Sequence, residues 1–285
     1  MLLKRLILVL LLPFPELTAQ PPTPYAPELF GQNLSGSVCG FSPDGTVIYF
    51  VRQDPQTRQH FLYAAERSGD TWGVPSVLPF SGANNDVGGR LSRDGRTFYF
   101  TSDRPGGSDK PGDSWNIWRV EKKGEQWGVP TPLKVLNNKG MECCPVPLGA
   151  KKLLFSADRG REHAWWISIY DLETNAEVFV DSLNADKRWQ WPSSLAEGDV
   201  LLLNSMMRPD SKGMDDIYVS FFAKGIWSTP QNLGEPVNTA AYEDGAMLTP
   251  DKKWLIYSQH ETAEAPSRVM MVPWKPIYEK LKTRQ

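Results

Sequence analysis

The chain has 285 residues, with 31 Lys and Arg against 33 Asp and Glu and a formal net charge of −2. That balance excludes the basic surface that nucleic acid or an anionic membrane demands. Eleven Trp, 24 Pro and 23 Gly describe short strands joined by tight turns, in a length that suits one large all-β domain.

In chain order, residues 1–19 are expected to be a signal peptide. Lys4 and Arg5 precede an apolar run from Leu6 to Leu12, and Leu17-Thr18-Ala19 offers a small residue for cleavage. The run is too short for a membrane span, and no Cys at the cleavage point suggests lipidation. Residues 20–24 are predicted to be an extended leader. No second apolar run of spanning length follows. The mature chain is therefore expected to be monomeric, without a membrane span, and periplasmic or secreted.

The rest is a repeat. Phe41-Ser42-Pro43-Asp44-Gly45 leads to Tyr49-Phe50, and Leu91-Ser92-Arg93-Asp94-Gly95 leads to Tyr99-Phe100. Blurred copies run from Leu148 to Phe155 and from Ala196 to Leu203. A clear one runs from Leu248-Thr249-Pro250-Asp251 to Tyr257. Phe50, Phe100, Phe155, Leu203 and Tyr257 are spaced by 50, 55, 48 and 54 residues. A period near 50 built from short strands predicts a propeller or solenoid. We read a single five-bladed β-propeller over residues 25–280, with four-stranded blades and inner turns near 42–45, 92–95, 148–152, 196–199 and 249–252. Asp-Gly suits a two-residue hairpin turn. Trp72-Gly73-Val74-Pro75, Trp127-Gly128-Val129-Pro130 and Trp227-Ser228-Thr229-Pro230 are predicted outer strands, because an edge strand can spare backbone donors to Pro. The fifth copy lacks this element. Tyr25 to Phe30 is expected to supply it, closing the ring and removing two exposed edges. Residues from Ile277 to Lys282 are expected to form a helical turn outside the ring, with 281–285 as a tail.

Ser-Pro-Asp-Gly before an aromatic strand, then Asp216-Ile217-Tyr218 and a Trp-x-x-Pro strand, resembles the WD40-like propeller repeats of TolB-type periplasmic proteins. The stretch from Asp216 through Trp227, Pro230, Asn232-Leu233-Gly234 and Asn238 to Pro250-Asp251 carries the likeness most strongly. The resemblance implies a propeller fold, an exported location, and a role as a binding platform for envelope proteins.

Residues entering the inner strands of a propeller face the channel mouth. Counting three back from Gly40, Gly89, Pro145, Pro192 and Ala246 gives Ser37, Asp86, Glu142, Trp189 and Glu243. These could line a pocket for a cation, an amine or a sugar, or the acids could hold strand ends through backbone donors. Cys143 and Cys144 beside Glu142 are candidates for a vicinal disulfide, a soft-metal site, or plain apolar packing. Trp191, with Trp165 and Trp189, could stack a sugar or a peptide Pro. An odd count of three Cys leaves at least one thiol unpaired, and Cys39 and Cys144 are placed at the same repeat position. Arg52, Arg104, Arg159 and Arg208 recur after the second strands, which points to a structural role.

No nucleophile elbow, His-Glu-x-x-His or phosphate loop is present, and no cofactor, metal or catalytic residue is expected. A glycosidase would need paired carboxylates, for which Asp86, Glu142 and Glu243 are the candidates. The favoured reading is a non-catalytic module for a protein or peptide partner in the cell envelope. The alternative is carbohydrate binding or glycoside hydrolysis at the same mouth. The third and fourth copies have lost the Pro-Asp-Gly turn and carry Glu142-Cys143-Cys144 and Trp189-Gln190-Trp191. They are where a specialised site is expected.

Overall fold

The computed structural model describes residues 20–30, 35–109, 115–160 and 165–283; the expected signal peptide, 1–19, lies outside them. A short strand, β1 (Thr23–Pro24), comes first. The first unit is β2 (Gly36–Phe41), β3 (Val47–Gln53), β4 (His60–Ser68), β5 (Thr71–Trp72) and β6 (Ser76–Val77). The second is β7 (Asp86–Leu91), β8 (Thr97–Ser102), β9 (Asn116–Lys123), β10 (Gln126–Trp127) and β11 (Thr131–Pro132), followed by a short helix α1 (Lys134–Asn137). The third is β12 (Met141–Leu148), β13 (Lys152–Asp158), β14 (Trp166–Asp171) and β15 (Glu177–Phe179). The fourth is β16 (Gln190–Glu197), β17 (Val200–Met206), β18 (Asp215–Ala223), β19 (Ile226–Trp227) and β20 (Gln231–Asn232). The fifth is β21 (Tyr242–Leu248), β22 (Trp254–His260) and β23 (Arg268–Pro273), followed by helix α2 (Trp274–Lys282).

Each unit is an antiparallel meander. A single parallel bridge, Asp215 to Tyr242, joins the fourth and fifth units into one sheet. The inner strands β2, β7, β12, β16 and β21 each contact the next, and β21 contacts β2. The apolar core lies between units. Tyr49 and Val51 of the first unit pack on Phe98, Phe100 and Trp118 of the second. Val38 and Phe50 pack on Ile256 and Val269 of the fifth. Each fully buried aromatic or aliphatic side chain of this kind contributes about 1.5–3 kcal/mol, so the interfaces between units hold the fold.

The Pro-Asp-Gly turns are longer than a two-residue hairpin. Gly45 N donates to Ser42 O and Ser42 N to Val47 O. Pro43 thus occupies the second position of the β-turn and Gly45 the left-handed residue after it, with φ 72°. Asp44 accepts from Ser42 Oγ at 2.5 Å and Thr46 N at 3.1 Å. These bonds lower its carboxyl to a pKa of about 2.

The predicted Trp-x-x-Pro outer strands are each split in two. β5, β10 and β19 and then β6, β11 and β20 pair with the third strand of their unit, because Pro between them has no N–H to donate. A side-chain amide completes the edge. Asn137, Asn184 and Asn238 accept from the N–H of Ile117, Ile167 and Ile217 at 2.9–3.0 Å. Each also donates to the same isoleucine's carbonyl at 2.8–3.0 Å.

The chain start corrects one expectation. Thr23 and Pro24 pair with Met271 and Met270 of β23 and Tyr25 N donates to Val269 O at 2.8 Å, but Ala26 to Phe30 do not continue the strand. Ala26 takes φ 44° and turns the chain inward, so that Leu29 and Phe30 are buried between the first and fifth units. The C-terminal helix begins at Trp274, three residues early, and is not outside the body. Trp274, Ile277 and Leu281 are buried against Leu202, Val219 and Leu255. Pro276 is tolerated because the first helical N–H groups have no intrahelical acceptor. Among the described residues no helix is long and apolar enough to cross a membrane.

Candidate functional site

Every inner strand carries a bulge near its middle. Registering strands on their paired partners places Gly36, Asp86, Glu142, Gln190 and Glu243 at one equivalent position, opposite Arg52, Ser102, Ala157, Ser205 and Gln259. The sequence count was therefore one residue late in the first unit, at Ser37, and one early in the fourth, at Trp189. The bulges, which insert residues without a sequence mark, cause the slip.

The polar members of this ring are fully buried and held by neighbours. Asp86 accepts from Arg104 Nη2 at 2.7 Å and Ser81 Oγ at 2.6 Å. Glu142 accepts from Arg159 Nη1 at 2.5 Å. Gln190 accepts from Arg208 Nη1 at 3.2 Å. Glu243 accepts from Thr239 Oγ1, Thr239 N and Gln259 Nε2, and burial raises its pKa in spite of them. The recurring Arg104, Arg159 and Arg208 are the partners of this ring. Arg52 is not equivalent to them; it lies 4.4 Å over the Tyr63 ring.

The next position along the strands is different. Ser37, Val87, Cys143, Trp191 and Asp244 are partly exposed. Two cavities open beside them, of about 300 and 280 Å³, and share Ser37, Gly88 and Asp244 in their walls. The smaller is walled by Cys144, Trp191, Arg90, Asn204 and Asp215 as well. Of the residues singled out in sequence, Ser37, Cys144 and Trp191 thus meet at one cavity. Asp86, Glu142, Glu243 and Trp189 are outside its wall. Trp189 is 44% exposed and meets Trp191 edge to face at 6.3 Å.

Sequence reasoning missed Arg90, Asn204, Asp215 and Asp244. Arg90 is buried and donates to Ser193 O, Val38 O and Gly89 O. Asn204 donates to Asp215 Oδ2 at 3.0 Å and accepts from Ser193 Oγ at 2.9 Å. Burial pushes the Asp215 carboxyl well above the usual range, and Asp244 adds to the effect. Asp244 Oδ2 lies 3.6 Å from His260 Nε2, which raises the His260 pKa. The one available signal was Asp215-Asp216, an acidic pair entering a strand of buried residues.

All three cysteines are free thiols. Cys39 is buried, which raises its pKa to about 11, and it sits one position beyond the equivalent of Cys144. Cys144 occupies the bulge residue that is Gly88 in the second unit and Gly245 in the fifth. All three have left-handed backbone, with φ 55°, 58° and 64°. Only Cys144 bears a side chain there, at a cost of about 1 kcal/mol or more. Cys144→Gly is accordingly expected to hold or raise stability by up to about 1 kcal/mol. Cys144→Val, with a branched side chain at positive φ, should lower it by about 1–3 kcal/mol. Urea titrations followed by Trp fluorescence distinguish the two outcomes.

No family model and no curated protein matches the chain. Solved structures do. TolB from Acinetobacter baumannii aligns at 17% identity with a TM-score of 0.53, over 85% of this chain and 54% of that one. The chain thus spans about half the length of that protein. A putative TolB from Agrobacterium tumefaciens aligns at 14% identity and TM-score 0.56, over 85% and 78%. A BT0996 RGII complex aligns at 12% identity and TM-score 0.57, over 90% and 91%. At such identities the likeness is one of architecture, and it establishes this chain as an all-β protein with a TolB-like β-propeller fold.

Proposed function

We propose that the five units are the blades of one closed propeller, exported by the segment 1–19, that works in the periplasm or outside the cell as a non-catalytic binding module. Its ligand is a protein or peptide partner held across the mouth of the central cavities. One observation carries the reading. The three acids that could have formed a hydrolytic pair are buried in strand-end bonds, whereas the open wall is Ser37, Trp191 and Asp244. An aromatic plate between polar groups is what an anchoring pocket for a partner side chain requires. The TolB-like fold of the neighbours is consistent with such a role.

The test is capture from envelope extract with the tagged mature chain, beside Trp191→Ala. A specific protein should be retained by the native chain and lost by the variant, with affinity down by about 2 kcal/mol and an unchanged melting temperature. Glycan binding on an array with no protein retained would instead favour the carbohydrate alternative and sink this one.

A further inference from the structure

The buried acids of this protein differ in how they are neutralised. Asp86 and Glu142 each face an arginine. Glu243 holds three donors. Asp216 also holds three, from Lys212 N, Gly213 N and Asn232 Nδ2 at 2.7–2.9 Å. Asp215 is the exception. It is 8% exposed, its Oδ2 accepts from one neutral amide, Asn204 Nδ2, and its Oδ1 is buried without a partner among the described residues. A buried carboxylate oxygen in that condition loses its hydration without compensation. The residue stands in the wall of the smaller cavity, together with a second carboxylate, Asp244, and the aromatic side chain of Trp191.

We propose that this cavity is a recognition pocket for an organic cation, an alkylammonium or guanidinium group, with Asp215 as its buried anchor, Asp244 as its second acceptor and Trp191 as an aromatic wall. Cations are held in such surroundings by charge-assisted hydrogen bonds and by the negative face of an aromatic ring. The inference rests on the binding-module reading and says which part of a partner enters: a Lys or Arg side chain, or a free amine of the same chemistry. Arg90 lies in the same wall, but its guanidinium is turned to the carbonyls of Ser193, Val38 and Gly89, leaving the acids for the ligand.

The charged groups around Asp215 are Asp244 and Glu243 from β21, Asp216 beside it on β18, and Arg90 across the cavity; His260 touches Asp244. Burial, and after it the fields of Asp244, Asp216 and Glu243, raise the Asp215 carboxyl well above the usual carboxylate range in the free protein. A bound ammonium favours the ionised form, so binding releases a proton and affinity rises with pH above the usual carboxylate range.

Calorimetry with n-butylammonium against the mature chain tests this, with n-pentanol as the neutral control. Binding is expected for the ammonium and not for the alcohol. It should be weakened about tenfold or more by Asp215→Asn and by Asp244→Asn. Buffers of different ionisation enthalpy should show protons released by the native chain and none by Asp215→Asn. A blocked tripeptide centred on Lys and its Nε-acetyl form then separate the sources: preference for the free Lys side chain assigns it to a peptide, while binding of n-butylammonium alone assigns it to a free amine. Equal binding of ammonium and alcohol, full affinity in Asp215→Asn, or a response to Ca²⁺ in place of the ammonium each overturns the inference. Capture of a protein partner is scored separately. If capture fails while n-butylammonium binds as described, this pocket stands and the partner reading falls. If capture succeeds and n-butylammonium does not bind, the pocket falls and the partner reading stands.

Discussion

Arg104→Ala is expected to destabilise the protein by about 3–5 kcal/mol, the cost of leaving a buried charge without its partner. Asp86 has no solvent exposure and Arg104 is 11% exposed, and their 2.7 Å contact is the charged half of a small network. Ser81 Oγ donates to the other carboxylate oxygen, Ser102 Oγ accepts from Arg104 Nε, and Arg104 Nη2 also reaches Phe80 O. The guanidinium lies 4.8 Å over Phe100 and 5.3 Å over Trp118, so its removal opens the interface between the first and second units as well. Removing both charges, in Asp86→Leu with Arg104→Met, should recover much of the loss, since a well-packed apolar pair avoids the desolvation that the ion pair bears. A double-mutant cycle in urea, read by Trp fluorescence, measures the coupling. A loss under about 1 kcal/mol in Arg104→Ala would mean that Asp86 does not depend on this partner, and would reopen Asp86 as a residue held ready for a ligand.

That pair also shows how far the sequence could be read. The repeat at Phe50, Phe100, Phe155, Leu203 and Tyr257 marks the second strands because burial between units demands large apolar side chains there, and such a demand is visible residue by residue. The acids at Asp86, Glu142 and Glu243 were equally visible, and so were the arginines after the second strands. Their pairing was not, because the two sets sit 17 or 18 residues apart and only the strand register brings them together. Trp189 and Ser37 were misplaced for a related reason: a bulge adds a residue through backbone geometry, and Cys144 occupies one without the glycine found there in the second and fifth units. Asn137, Asn184 and Asn238 look like loop residues until their amides are seen to replace strand hydrogen bonds. The cavity wall combines residues of all five units, so the acidic pair Asp215-Asp216 was the one local signal there and Asp244 had none. Cys144 and Trp191 were found because the third and fourth copies depart from the repeat.

Arg90→Met is expected to cost about 2–4 kcal/mol, although Arg90 forms no close ion pair among the described residues. Its guanidinium donates to carbonyls on β2, β7 and β16, strands of the first, second and fourth units, and so ties opposite sides of the centre. Losing it leaves buried acceptors without donors, at about 1–3 kcal/mol each before relaxation. Arg90→Lys should recover only part of the loss, because a single ammonium on a flexible stem cannot reproduce a planar fork. Two effects on cation binding then oppose each other. Removing a positive charge from the wall favours an incoming ammonium. Releasing Ser193 O frees the strand whose Ser193 Oγ orients Asn204, and Asn204 in turn holds Asp215. The charge effect is weakened because the carbonyls around Arg90 already offset much of its field, whereas the positional effect acts on the anchor through two hydrogen bonds. Affinity for n-butylammonium, measured on the folded fraction, should therefore fall in Arg90→Met. A rise would show that Arg90 acts on the cavity by charge alone, and that the Ser193–Asn204–Asp215 chain keeps its geometry without it.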